Sequence, residues 1–132
     1  MTTYFADAMY KHRGLAVQVE YARRIAPDPI TNDGVAIRYV YTGEGLNAQA
    51  SWLAPGRNIE PVIRHTRITP GIAIREQRDS EALVESSLGF ARYFNGHRIK
   101  MNGDIVHSRR TNLLNDESSA AWTMRLGLEL GI

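Results

Sequence analysis

The stretch "WTMRLGLELGI", residues 122–132, decides how the rest of the chain is read. Every second residue is large and apolar (Trp122, Met124, Leu126, Leu128, Leu130, Ile132), and the residues between are Thr123, Arg125, Gly127, Glu129 and Gly131. A period of two is the signature of a strand, oily on one face and polar or tiny on the other. Working outward, the same device recurs. "GLAVQVEYARR" (14–24) sets Leu15, Val17, Val19 and Tyr21 against Ala16, Gln18, Glu20 and Ala22. "HRIKMNGDIVH" (97–107) sets Ile99, Met101, Gly103 and Ile105 against Arg98, Lys100, Asn102 and Asp104. "LNAQASWLA" (46–54) repeats it more weakly, and "NIEPVIRHTRI" (58–68) carries Pro61, which argues for an irregular or edge position. The chain reads as all-β.

The connections carry the next inference. Asn95-Gly96 in "YFNGHRI" is a strong hairpin signal, because both central residues of a type I′ turn need positive φ. Strands 82–95 and 97–108 should pair there, with Phe90 and Phe94 on the face of Ile99 and Met101. Pro55-Gly56 marks a second tight turn and Gly14 serves a third. Longer polar connections, Ala26 to Gly34, Thr69 to Glu81 and Arg109 to Ser119, alternate with these three turns. "GVAIRYVYTGEG" (34–45) also alternates; counting it gives eight strands, otherwise seven. Because an eighth strand would put the Gly14 turn at the long-connection end, 34–45 is expected as an external hairpin or strand extension. Several candidate strands reach roughly 10 residues, beyond the ~5–6 usual in soluble sheets and near the ~9–11 of a tilted transmembrane strand.

Composition bounds the rest. A chain of 132 residues with 43% hydrophobic content suits a single domain over 1–132. Sixteen basic against 14 acidic residues, net +2, lack the dense basic clusters of a nucleic-acid binder. With no cysteine there is no disulfide or thiolate chemistry. His12, His65, His97 and His107 lie far apart, so no metal site is expected, and no cofactor or catalytic motif stands out, so the chain does not read as an enzyme. His97 reads as a turn-end residue; "SRRT" (108–111) and "RHTR" (64–67) read first as solvated loop edges and second as anion-attracting, with Arg64 on a polar face. The start, "MTTYFADAMYKHRG", lacks the blocks of a signal peptide, so either the protein stays where it is made or the chain has lost its native N-terminus. Tyr10, Trp52 and Phe94 precede the short turns while Tyr21 and Trp122 lie toward the long-connection ends, positions that would form two interfacial girdles.

Four stretches resemble the C-terminal segment of the phosphate-selective porins O and P of bacterial outer membranes: "ADAMYKHRGLAVQVEYARR", "LNAQASWLAPGRNIEPVIRHTRITP", "LGFARYFNGHRIKMNGDIVHSRR" and "MRLGLELGI". The resemblance implies an antiparallel transmembrane β-barrel or its C-terminal part, with about seven or eight strands in this chain. It implies passive diffusion of small anions such as phosphate, outer-membrane lipid around the wall, and a homotrimer. It also implies recognition of the last strand by the barrel-assembly machinery, although such strands typically end on Phe and here the residue is Ile132. Arg24, Arg64, Arg98, Lys100 and Arg125 are then the pore-lining candidates for anion contact. The polar faces nonetheless carry both signs: Lys11, Arg13, Arg24, Arg64, Arg98, Lys100 and Arg125 against Asp7, Glu20, Glu60, Glu85, Asp104 and Glu129. Such a wall is expected to be paired and structural rather than a filter. The alternative reading is a soluble antiparallel β-barrel or sandwich acting as a ligand-binding module.

Overall fold

The computed structural model describes residues 1–32, 34, 37–77, 80–94 and 99–130, with backbone alone for 75–77. The elements run β1 (Thr2–His12), β2 (Leu15–Ile25), β3 (Ile30–Asn32), β4 (Ile37–Tyr39), β5 (Gly43–Trp52), β6 (Ile59–Pro70), α1 (Ile72–Gln77), β7 (Glu81–Phe94), β8 (Ile99–Asn112) and β9 (Ser118–Leu130). Seven of them form one antiparallel sheet in the order β1-β2-β5-β6-β7-β8-β9, and β3 pairs with β4 in a separate hairpin. Residues 34–45 therefore divide: Ile37–Tyr39 is a hairpin strand, while Gly43 to Gly45 extend β5. No eighth strand joins the large sheet among the described residues.

Turn chemistry fixes the pairings. His12 lies opposite Leu15 with only Arg13 (φ 47°) and Gly14 (φ 84°) between them, both in the left-handed region that a two-residue type I′ turn requires. Arg13 is thus a turn residue and not part of the polar wall. Pro55-Gly56 makes a type II turn, with Gly56 at φ 70° and the Arg57 amide donating to Ala54 O at 3.2 Å. In the third hairpin Phe94 pairs with Ile99, and Phe90, Phe94, Ile99 and Met101 share one face while Lys100 lies on the other. Asn95, Gly96, His97 and Arg98 lie outside the described residues.

Two expected loops are shorter than the polar composition suggests. Thr69 and Pro70 belong to β6 and Arg109 to Asn112 to β8, because their backbones find ladder partners in β5, β7 and β9. Between β6 and β7 the chain makes α1, which strand alternation did not foresee. Ile74 on α1 is 1% exposed, and Ser80 is also buried. The Leu113 amide donates to Ser80 O at 3.0 Å, tying two long connections together.

The sheet itself has almost no interior. The accessible surface of the chain is 9800 Å², whereas a globular monomer of this mass would expose about 7,000 Å². Among the described residues only Ile74, Ala91, Gly103, Val106 and Ser80 are buried. One layer exposes both of its faces, and β1 and β9 each pair on one side only.

The hairpin ends are staggered. Along the ladder, the row of His12 and Leu15 continues through Trp52, Pro61, Phe90, Gly103 and Leu126. The second hairpin runs two residues past this row, to Ala54 and Ile59, and the third runs four, to Phe94 and Ile99. One residue of stagger per strand, at ~3.3 Å per residue and ~4.8 Å per strand, levels the three turns if the strands lean by roughly 35°. Sheets close into cylinders at a tilt of roughly 35–45°.

Candidate functional site: the two faces of the sheet

The polar face is a continuous hydrogen-bonded wall. Arg64 Nε donates to Gln49 Oε1 (3.2 Å), Gln49 Nε2 to Gln18 Oε1 (3.4 Å) and Gln18 Nε2 to Glu20 Oε1 (2.9 Å). Glu20 accepts a second bond from Asn47 Nδ2 (3.0 Å), whose own Oδ1 accepts from Thr66 (3.0 Å). A cation on β6 is thereby linked through two amides to a carboxylate on β2. Both Glu20 oxygens are occupied, which offsets its placement directly across from Asp7, a like-charge pairing that would otherwise destabilise β1 against β2.

Toward β9 the wall is ionic. Arg125 holds Asp104 through two bonds, Nε to Oδ1 at 2.9 Å and a second from its Nη2 to Oδ2. Lys100 lies 3.5 Å from Glu129, and Tyr93 donates to Glu60 at 2.6 Å. A shallow groove of about 540 Å³ lies here, lined among others by Arg64, Lys100, Asp104 and Arg125. Glycine creates that relief: a Cβ at Gly89 would come within 2.9 Å of Asp104 Cβ, and one at Gly127 would run into the Asn102 side chain.

The sequence-derived candidates Arg24, Arg64, Lys100 and Arg125 all fall on this face, and Arg98 lies outside the described residues. Reading charge from the register adds Arg110 and Glu81, 3.6 Å apart, which sequence reasoning had assigned to loops. The wall then carries six cations (Lys11, Arg24, Arg64, Lys100, Arg110, Arg125) against seven carboxylates (Asp7, Glu20, Glu60, Glu81, Glu85, Asp104, Glu129). Opposite signs interleaved across neighbouring strands cancel at a distance and brace the sheet locally.

The other face holds Tyr10, Tyr21, Trp52, Phe94 and Trp122 together. With the turns levelled, Tyr10, Trp52 and Arg92 come to one height, and Arg23, Arg67 and His107 to another, about 19 Å away. Phe94 lies just beyond the first level, where Arg92 sits over its ring at 4.9 Å. Trp122 lies at the second, its ring centroid 4.6 Å from that of His107, and Tyr21 just inside it. The middle of the span is Ala, Val, Ile, Leu, Pro, Phe, Met and Gly alone. Tyr4, Tyr21, His65 and Ser86 enter only near the upper level, where His65 Nδ1 and Ser86 Oγ are hydrogen-bonded at 2.9 Å.

Among the described residues no three His, Asp or Glu side chains gather as metal ligands would. No helix there is long and apolar enough to cross a membrane, a fact that does not bear on crossing by strands. Compared with protein-family models, with curated proteins and with solved structures, the chain gives no match.

Proposed function

We propose that this chain is a wall segment of an outer-membrane β-barrel pore through which small hydrophilic solutes diffuse passively. In this reading the apolar face meets lipid and the polar face lines water. The observation that carries it is the pairing of an uncovered apolar face, continuous across seven strands and rimmed by aromatic residues and arginine, with an opposite face that is cross-linked and polar. A soluble sheet must cover its apolar face with another layer, and α1, with six residues, is the only helix among the described residues. An outer-membrane wall leaves that face to lipid, with an apolar band about 25 Å tall; arginine side chains reaching outward from levels about 19 Å apart approach this height. β1 and β9 run in the same direction, so closing the sheet in an all-antiparallel cylinder takes an odd number of further strands. A trimer of such cylinders and delivery through the exposed last strand belong to the same proposal.

The resemblance to phosphate-selective porins brings small anions in as solutes, whereas the balanced wall argues that this segment does not set the selectivity. The protein should resist carbonate extraction from membranes, require detergent for release, and migrate differently on a gel before and after heating. Partition into buffer would overturn the proposal. In a planar bilayer under a salt gradient, the reversal potential should move little from zero. Strong anion selectivity that collapses in the Lys100→Glu, Arg125→Glu protein would show that this wall is the filter.

A further inference from the structure

Five of the cations on the polar face have a partner: Arg24 on Thr3, Arg64 on Gln49, Lys100 on Glu129, Arg110 on Glu81 and Arg125 on Asp104. Arg67 and Arg109 point from the other face. They flank Val84 in one row, two strands apart and so roughly 10 Å between backbones. Both are exposed, and neither forms an ion pair or side-chain hydrogen bond among the described residues. The one carboxylate on the strands of that face, Glu44, lies across from Arg23 and accepts a bond from Tyr21 at 3.0 Å. Below the two arginines lie the His65–Ser86 pair and His107 against Trp122, and beyond them the apolar span.

Two guanidinium groups over a hydrocarbon-like surface, with no counter-charge paired to them among the described residues, match a ligand that carries a phosphate at one end and acyl chains at the other. Planar guanidinium forks suit phosphate oxygens through charge-assisted pairs, and acyl chains would lie along Leu88, Ile105 and their neighbours. We propose that Arg67 and Arg109 form a binding site for the phosphate of an anionic lipid at the long-connection rim of the apolar face. This rests on the reading that the face meets a bilayer.

The test uses the whole chain in neutral detergent micelles doped with phosphatidic acid, with phosphatidylcholine or with inorganic phosphate, and counts bound lipid by native mass spectrometry. Preference for phosphatidic acid over phosphatidylcholine should be about tenfold. It should vanish in Arg67→Gln, Arg109→Gln and persist in Arg64→Gln, whose change is on the opposite face. Val84→Glu keeps both arginines and places a carboxylate between them; it should abolish the preference in a protein that still folds. Retention of the preference in both the double variant and Val84→Glu overturns the site. So does its absence in the unaltered protein, or equal occupancy by inorganic phosphate alone, which would make it a free-ion site. A protein that enters micelles and shows no preference defeats this inference only; one that stays in buffer without detergent defeats the bilayer reading as well.

Discussion

Leu126→Arg should destabilise the lipid-inserted protein by about 2–4 kcal/mol, while Thr123→Arg on the same strand should change its stability by less than about 0.5 kcal/mol. Leu126 is 77% exposed, so in water a charge there would meet solvent and cost almost nothing. After the strands are levelled, Leu126 lies near the middle of the apolar span, where a bilayer would have to take up the guanidinium. Thr123 projects from the polar face, opposite Val106. The two residues differ in the face they serve and also in depth, Thr123 lying beside Trp122 near the second level, so the contrast reports face and depth together. Denaturant titration in phospholipid vesicles, followed by tryptophan fluorescence, measures it. Equal tolerance of both changes would mean that the apolar face does not lie in hydrocarbon.

Gly14→Ala should cost about 2–3 kcal/mol, combining the left-handed backbone penalty with a collision. Gly14 sits at φ 84°, and a Cβ there would come within 2.6 Å of the Leu53 carbonyl oxygen. The obstacle is backbone, and the Leu53 amide donates to Gly14 O at 2.8 Å, so relief requires parting the β1–β2 turn from the end of β5. Gly56 supplies the control. Its φ is 70°, but nothing lies within 4 Å of the position its Cβ would take. Gly56→Ala should therefore cost only the backbone part, about 1–2 kcal/mol. Identical midpoint shifts for the two variants would remove the close approach from the explanation.

How much of this was legible follows from what alternation encodes. A period of two tells which residues share a face, so the separation of Arg24, Arg64, Lys100 and Arg125 from Tyr10, Tyr21, Trp52, Phe94 and Trp122 could be read from sequence. Register was hardly legible even at the turns: Gly14 marked one, but Arg13 beside it was assigned to the polar wall, and Phe94 pairs with Ile99 with four residues between them where the expected turn has two. Elsewhere a shift of two residues leaves every face unchanged and so leaves no trace in the pattern. The stagger of one residue per strand, and with it the levelling of Arg23, Arg67 and His107, needed the ladder itself. Strand ends were misjudged at Thr69-Pro70 and at Arg109 to Asn112, because a polar strand that projects past its apolar span has the composition of a loop. α1 offered too few residues for a helical period to declare itself.

The β3–β4 hairpin has a consequence for the order of assembly. Every other strand of the sheet pairs with a chain neighbour across a connection of ten residues or fewer, but β2 must find β5 across residues 26–42. With Ile30 opposite Tyr39 and the Val40 amide bonded to Pro29 O at 2.8 Å, the inserted hairpin brings its own ends together first. About two-thirds of the connecting chain is then no longer free, which lowers the entropic cost of closure by about 1 kcal/mol. We infer that β5 to β9 zip from turn to turn while β1–β2 waits for this joint. Pulse-labelling hydrogen exchange that found β2 amides protected as early as those of β8 would contradict that sequence. On this view the smallest sheet in the molecule acts as a timing element, a local fold that lets two independently formed hairpin arrays become one surface.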